Sequence, residues 1–474
     1  MTTLSAMQLH EPELEFGDGG VHVDVRRGLA LHGPLDCALD SRPTSIRIGM
    51  VGTPETTEKC QQWLAGCGEG VAAKRSNQPN LFPSFPGFGA GRQLSTPLSF
   101  DARLVRSVQP RRFASIEKLD TQNRMVSTAV DLFAAELQEL ATKGGIDVMV
   151  VAPPMSMLEA VRNAHQHPSE TFLDFHDMLK ARVIGLNTPL QLILPATYGA
   201  GSMKPKRGQK TRKLQDPATI AWNIYVALYY KAGGLPWRLP RISSDLTTCF
   251  VGVSFFHDID QETVSSSVAQ VFNERGDGMI IRGGSPIRSK DDRQLYLSSQ
   301  DAQELVTQSI KVFRDEHKTS PARVVVHKTS PYNDAELEGM EAAVEAAGIE
   351  VLDLLHLRSS DTRLFSPGDY PPPRGTFLEL DDAHSILYTR GVVPYFDTYP
   401  GMYVPRALEI RRASADSPQA DIAREILGLS KMNANDTQFD RGLPMTIRAA
   451  RNVSDILRYV HPSQTIARGY AHYM

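Results

Sequence analysis

What this 474-residue sequence has little of narrows its class first. It holds four cysteines, Cys37, Cys60, Cys67 and Cys249, too few and too scattered for a disulfide scaffold. Cys60 and Cys67 have no second pair of ligands at zinc spacing, so a zinc site is not expected and reduced thiols in a cytoplasmic protein are. No run approaches the roughly 18 apolar residues of a membrane span. The opening MTTLSAMQLHEPELEF carries acids where a secretory leader has an apolar core. Neither sign of charge dominates: 51 Lys and Arg against 54 Asp and Glu give a formal net charge of −3. That excludes a histone-like polycation, but not a basic groove set among acidic faces. The GxSxG, Walker and HExxH motifs are absent, and GAG at residues 199–201 falls short of a dinucleotide fingerprint.

What remains is globular. Apolar residues make up 41% and charged residues 22% of the chain, unlike disordered or collagen-like sequences. The length fits two or three domains. Residues 1–20 read as a polar lead-in ending in GDGG. IRIGMVGT (46–53) reads as a buried strand, ETTEKCQQWLAG after it as a helix, and residues 76–100, rich in Pro, Gly, Ser and Phe, as an irregular excursion. Val126, Val130, Phe133, Leu137 and Leu140 recur at helical spacing up to a stop at Gly144-Gly145. DVMVVAPP (147–154) and LQLIL (190–194) read as strands around a helix over roughly 169–183. This alternation predicts a parallel α/β sheet. A helix over 217–231 runs into Gly233-Gly234 and LPWRLP, a domain boundary. Beyond it CFVGVSFF, MIIRGG, RVVVH, SILYTR and residues 404–410 read as strands, with helices over 301–316 and 334–347. No internal repeat is visible.

The densest basic run is KPKRGQKTRK (204–213), with Lys204, Lys206, Arg207 and Lys210 and no acid. It lies between a strand and a helix, so it is either a solvated loop or a contact for a phosphate backbone. Arg441, Arg448, Arg451, Arg458 and Arg468 add a second basic segment, opposed chiefly by Asp455. Such segregation in a mildly acidic chain favours an anionic partner. His176 and Lys180 stand four apart on one helix face, which alone suits a plain surface as well as a site. Asp258 with Asp260, Asp291-Asp292 and Asp381-Asp382 read as loop solvation, because a two-metal nuclease needs carboxylates converging from several strands.

Several segments together resemble a known family. AWNIYVALYYKAGGLPWRL (221–239) is similar to the helix that closes the MID domain of Argonaute proteins, with its Lys-x-Gly-Gly-x-Pro-Trp ending. CFVGVSFF, RVVVHKTS and SKMNANDTQFDRGLPMTIRAARNVSDILRYV resemble successive PIWI-domain segments, in the family's order and spacing. The resemblance covers residues 147–474 and implies a short prokaryotic Argonaute of MID and PIWI domains alone. The expected fold class is α/β: a Rossmann-like MID domain over residues 21–238, then an RNase H-like PIWI domain over 239–474.

The resemblance also assigns roles. A guide's 5′-phosphate would be held by His176, Lys180, Gln191, Asn223 and Lys231: the lysines neutralise it, the two amides donate to its oxygens, and His176 meets the first base. Some relatives place a metal-binding amide where this chain has Ala227, which sets Mg²⁺ at that phosphate in question; the carboxylate of Met474 is the remaining candidate ligand. At the two positions where slicing relatives carry aspartates stand Ser254 and Thr329. Neutral hydroxyls cannot hold two divalent cations as carboxylates do, so no catalytic metal and no target cleavage are expected. Lys328, Ser330, Lys431, Asn433 and Asn435 are then expected on guide or target backbone. The implied partners are a guide RNA, a single-stranded DNA target and a separately encoded APAZ protein carrying a NAD-hydrolysing Sir2 or TIR domain, in defence against plasmids or phage. Two other readings stand beside this one. One is a nuclease using Asp258 or Asp260; the other is an unrelated α/β enzyme with a small-molecule pocket. The Pro/Phe-rich stretch 81–88 is either a partner surface or packing for its own domain.

Overall fold

The computed structural model describes the chain except residues 1–5, 90–93, 167–169, 202–214, 241–245, 258, 260–263, 273–277, 285, 365–370, 400–403, 439–441 and 462; along 264–272 it describes the backbone only. The basic run 204–213, Asp258, Asp260 and Arg441 therefore lie outside the described residues.

The first sheet has four parallel strands in the order Leu98–Ser107, Ile46–Gly52, Val148–Ala152, Leu190–Leu192. Its central strands are apolar on both faces because helices cover both. Ile48, Met50, Val148 and Val150 meet Cys60 and Leu64 of the helix Pro54–Gly68, and Trp222 and Tyr225 of the helix Pro217–Lys231. Val51, Met149 and Val151 point the other way, onto the helices Gln122–Ala141, Met155–Asn163 and Phe175–Val183. Local chemistry fixes the helix starts. Thr53 and Thr56 form a reciprocal capping box ahead of Pro54, and Asp216 caps the helix Pro217–Lys231. After Ala141 the chain turns through Gly144 and Gly145, both at φ of 66°. Three helices of this half fall where the sequence pattern marked none: Val25–His32, capped by Asp24, Pro110–Ile116 and Met155–Asn163. The helix expected over 169–183 begins at Phe175, where the Asp174 carboxylate accepts from the Asp177 N–H.

The second sheet has nine strands. The strand Arg323–Lys328 runs parallel to both neighbours, Thr248–His257 and Val351–Ser359, and the remaining pairs are antiparallel. Helices Ser299–His317 and Asp334–Ala347 cover one face through Val251, Val324, Val326 and Leu354. Helices Gln419–Leu429 and Met445–Leu457 cover the other, through Val325, Leu355, Ile410 and Ile447. The helix Met445–Leu457 comes so close to the strand Thr248–His257 that a Cβ at Gly252 would lie 2.2 Å from the Thr446 carbonyl oxygen. It also touches the helix Phe175–Val183 of the first sheet.

One expectation is corrected: within the stretch read as a polar lead-in, residues 6–20 are built into the fold. Ala6–Gln8 forms the outermost strand of the second sheet, antiparallel to Thr376–Glu379. Glu11 then lies between two buried cations: its carboxylate is 2.8 Å from Arg374 and 3.1 Å from Lys431. Arg374 also donates to the carbonyls of Thr389 and Leu427 and to the Ser430 hydroxyl. Of the two readings of the stretch 81–88, packing on its own domain is the one seen. Phe85 and Phe88 are buried against Trp222 and Tyr225, and the Trp222 indole donates to the Ser84 carbonyl. Phe85, Phe88, Trp222 and Tyr225 thus form one aromatic cluster that stabilises the domain itself.

Removing Glu11 would leave two buried cations without their carboxylate. Glu11→Ala should lower folding stability by about 3–5 kcal/mol, read as a fall in the urea midpoint; an unchanged midpoint would show that the N-terminal strand is not anchored this way.

Candidate nucleic-acid-binding site

Lys180 lies in the last turn of the helix Phe175–Val183 and Lys231 ends the helix Pro217–Lys231. Both are buried, 2% and 4% exposed. Their ammonium groups converge on one acceptor, the main-chain oxygen of Met474, with the Lys231 Nζ at 3.2 Å. Lys231 also donates to Gln191 Oε1 at 2.6 Å and to the Leu190 carbonyl at 3.0 Å. The strand Leu190–Leu192 thus supplies two of the three oxygens around Lys231. Neither lysine meets a side-chain carboxylate among the described residues.

Burial without such a carboxylate disfavours charge on both amines. Desolvation pulls Lys180 down to about 8, against a smaller upward pull from Asp177 and Asp174. Lys231 is driven well below its ordinary value by burial and then by the Lys180 ammonium. Two under-compensated ammonium groups aimed at one oxygen form an anion site. His176 lies one turn before Lys180 on the same helix face. Its ring, partly buried, contacts Asp177 at 2.7 Å and is held neutral first by burial, then by Lys180. His472 joins this group: burial and the Lys231 charge both depress its basicity. Sequence reading missed it, since a lone histidine near Met474 carries no motif.

Two of the expected phosphate donors have other work. The Gln191 amide donates to the Leu192 carbonyl and accepts from Lys231, so it orients the lysine instead of pointing an N–H into the pocket. Asn223 accepts from the Thr437 N–H at 2.9 Å and hydroxyl at 2.8 Å, and its own amide reaches Gln215. It ties the first half to the segment after Leu429, two helical turns from Lys231. Oxygen donors beside the lysines are the Met474 main chain, the Leu190 carbonyl and Gln191 Oε1, all already accepting from ammonium groups, and Ala227 is buried hydrocarbon. That donor set does not fit Mg²⁺. Asp174, His176 and Asp177 bring ligand atoms within 4.8 Å of one another, but the Asp174 carboxylate caps its helix and Asp177 engages His176.

Ser254 and Thr329 do come together. They line a cleft of about 680 Å³ with His257, Arg451, Ser454, Asp455 and Arg458. Partial desolvation, then Asp177 and Asp174, push the Asp455 carboxyl up, which places that helix face beside the His176 turn. Other backbone-contact expectations are corrected. Lys328 is fully buried, its ammonium ion-paired with Glu336 and ringed by Phe255, Tyr296 and Tyr332. Ser330 donates inward to the Leu295 carbonyl. Lys431 is bound to Glu11 and the Pro12 carbonyl, and Asn433 is buried and accepts from the Asn435 N–H. Only Asn435 of this set is exposed. For Ser330 and Lys431 a distant partner takes the side chain inward, whereas Lys328 meets Glu336 on the following helix and Asn433 bonds within its own loop.

No protein-family model matches the sequence, and no curated protein matches it. The fold is similar to solved Argonaute structures. With Clostridium butyricum Argonaute bound to a guide DNA and a 19-mer target DNA the TM-score is 0.66 at 15% identity, covering 96% of this chain and 53% of that one. With Aa-Ago carrying externally bound siRNA the TM-score is 0.59 at 15% identity, covering 99% and 56%. This chain thus spans just over half the length of either. The likeness is one of fold: a parallel α/β sheet followed by a large mixed sheet, as in Argonaute MID and PIWI domains.

The pocket's response to pH has two opposite signs. An anion needs charged Lys180, so affinity for inorganic phosphate should decline as pH rises through about 8, with proton uptake on binding in titration calorimetry. The ligand-free fold should gain stability from the same group above that pH, because the unfolded state, with the ordinary lysine pKa of 10.5, then binds more protons. Phosphate binding that stays level across this window would sink the assignment.

Proposed function

We propose that this protein is an Argonaute-like, short MID–PIWI guide-binding subunit. It holds the 5′-phosphate of a guide RNA between Lys180 and Lys231, pairs the guide with single-stranded DNA, and leaves the target uncut. The observation that carries this reading is the convergence of two buried ammonium groups, without a side-chain carboxylate, on one oxygen beside His176. A terminal phosphate brings about −1.5 to −2 charges and three strong acceptors, which suits both amines. Gln191 keeps Lys231 aimed, and the exposed part of the His176 ring is available to the first base. The Argonaute fold of the whole chain supports the same reading.

Ser254 and Thr329 stand in the cleft where slicing relatives place aspartates, and hydroxyls do not assemble a two-metal site. Recognition without cleavage needs an effector. In this proposal a separately encoded APAZ protein supplies it, with a Sir2 domain favoured and a TIR domain the alternative. Target pairing switches on NAD hydrolysis in that partner and halts plasmid or phage spread in the cytoplasm. The family resemblance alone supports this last step.

A short 5′-phosphorylated RNA should bind at least tenfold more tightly, about 1.4 kcal/mol, than its 5′-hydroxyl twin. Lys180→Ala/Lys231→Ala should erase the difference. Equal binding of the two RNAs by the unaltered protein would refute the pocket. Guide-matched DNA should stay intact with Mg²⁺ or Mn²⁺; site-specific cutting would return the nuclease reading.

A further inference from the structure

The donors of Lys231 are fully engaged. An ammonium carries three N–H groups, and three oxygens take them: the Leu190 carbonyl at 3.0 Å, Gln191 Oε1 at 2.6 Å and the Met474 main-chain oxygen at 3.2 Å. A phosphate oxygen can therefore reach this lysine only by displacing one of the three. The Leu190 carbonyl is fixed in the strand Leu190–Leu192, which pairs with Val148–Ala152. Gln191 Oε1 is held from behind, because its own amide donates to the Leu192 carbonyl. The Met474 oxygen makes the longest of the three bonds, and it is also the one that Lys180 shares. It occupies the point between two ammonium groups that a bridging phosphate oxygen needs.

The segment that carries this oxygen is closed on itself. The His472 N–H donates to the Gly469 carbonyl and the Tyr473 N–H to the Tyr470 carbonyl, around the short turn Tyr470–His472. The Tyr473 hydroxyl donates back to the Ala467 carbonyl at 2.9 Å. Tyr470, Tyr473 and Met474 are buried against the core of the first sheet. Outward, the Asn452 amide donates to the Tyr470 hydroxyl at 3.0 Å. The Tyr470 N–H donates to the Gly278 carbonyl at 2.8 Å, and the Ile280 N–H to the Arg468 carbonyl at 2.6 Å. The segment thus runs beside Ile280–Arg282, the last strand of the nine-stranded sheet. One short piece of chain touches the lysines at one end and the margin of the second sheet at the other.

We propose that residues 470–474 are an autoinhibitory plug: the Met474 oxygen holds the phosphate position until a guide's 5′-phosphate displaces it. A phosphate suits the exchange, since it brings about −1.5 to −2 charges and three acceptor oxygens where the segment offers one. Displacement frees the turn from both lysines and loosens the stretch that pairs with Ile280. An occupied pocket is thereby signalled at the margin of the second sheet. The plug rests on the function proposed above, because a phosphate has to be the pocket's ligand.

Hydrogen exchange tests the plug, because a ligand that merely fills a pocket slows exchange around it, whereas a displaced segment opens. The unaltered protein is given a 5′-phosphorylated dinucleotide or its 5′-hydroxyl twin, and exchange is read over residues 469–474 and 278–282. With the phosphate, exchange over 469–474 should become about threefold faster or more, as for a closed segment that opens locally. The hydroxyl twin should leave it unchanged. Asn452→Ala/Tyr473→Phe removes two side-chain bonds of the turn and keeps both rings packed. It should bind the phosphorylated dinucleotide more tightly, by about tenfold where the seated plug leaves about one molecule in ten open. Phosphate binding with exchange over 469–474 unchanged or slowed overturns the plug and leaves the guide pocket standing. If neither protein distinguishes phosphate from hydroxyl, the guide pocket fails and the plug with it.

Discussion

Two ammonium groups buried around one oxygen are the constraint on which much of this structure turns. Placing them there costs solvation that no side-chain carboxylate returns, so the surrounding main chain has to compensate. The end of the helix Pro217–Lys231, the strand Leu190–Leu192 and the Met474 carbonyl all supply geometry to that one point. The helices carrying the two lysines lie on opposite faces of the first sheet. Their meeting at its Leu190–Leu192 margin, with residues 470–474 packed against them, follows from that charge being held in place.

Elsewhere the protein treats buried cations in the opposite way. Lys328 has Glu336, Arg323 has Asp353 and Glu425, and Arg374 and Lys431 share Glu11. Each of these is a closed ion pair in the second sheet or its N-terminal strap. The contrast separates architecture from site more sharply than burial does, since all six cations are hidden from water. Where a side-chain carboxylate is supplied, the cation fixes the fold; around Lys180 and Lys231 the acceptors are the Met474 main-chain oxygen, the Leu190 carbonyl and Gln191 Oε1 instead.

Much of the fold was legible from local pattern. The helices Pro217–Lys231 and Asp334–Ala347 have the bounds that periodicity and flanking glycines predict, and the strands at Ile46, Val148, Thr248 and Arg323 follow their β-branched runs. The site was legible only in part. His176 and Lys180 show as a helical pair, but what makes Lys180 distinctive is the Met474 oxygen, nearly three hundred residues away. Lys328 and Lys431 misled for the same reason: a lysine reads as surface until its partner is known, and Glu336 and Glu11 are not local signals. The pairing of Arg358 and Arg411 with Glu409 is equally hidden, because the residues belong to two strands and only the ladder register sets them side by side.

The strand Ala6–Gln8 has a consequence in time. It leaves the ribosome long before its hydrogen-bonding neighbour, Thr376–Glu379, has been made. The four-stranded sheet can close from a contiguous stretch of chain, Ile46 to Leu192, while synthesis continues. The nine-stranded sheet cannot: its edge is sealed by a segment that has waited, unpaired, through most of translation. High contact order of this kind slows assembly and leaves an open strand edge exposed in the interval. The strand Ala6–Gln8 is thus made well before the partner that it pairs with, and the two sheets mature on different clocks.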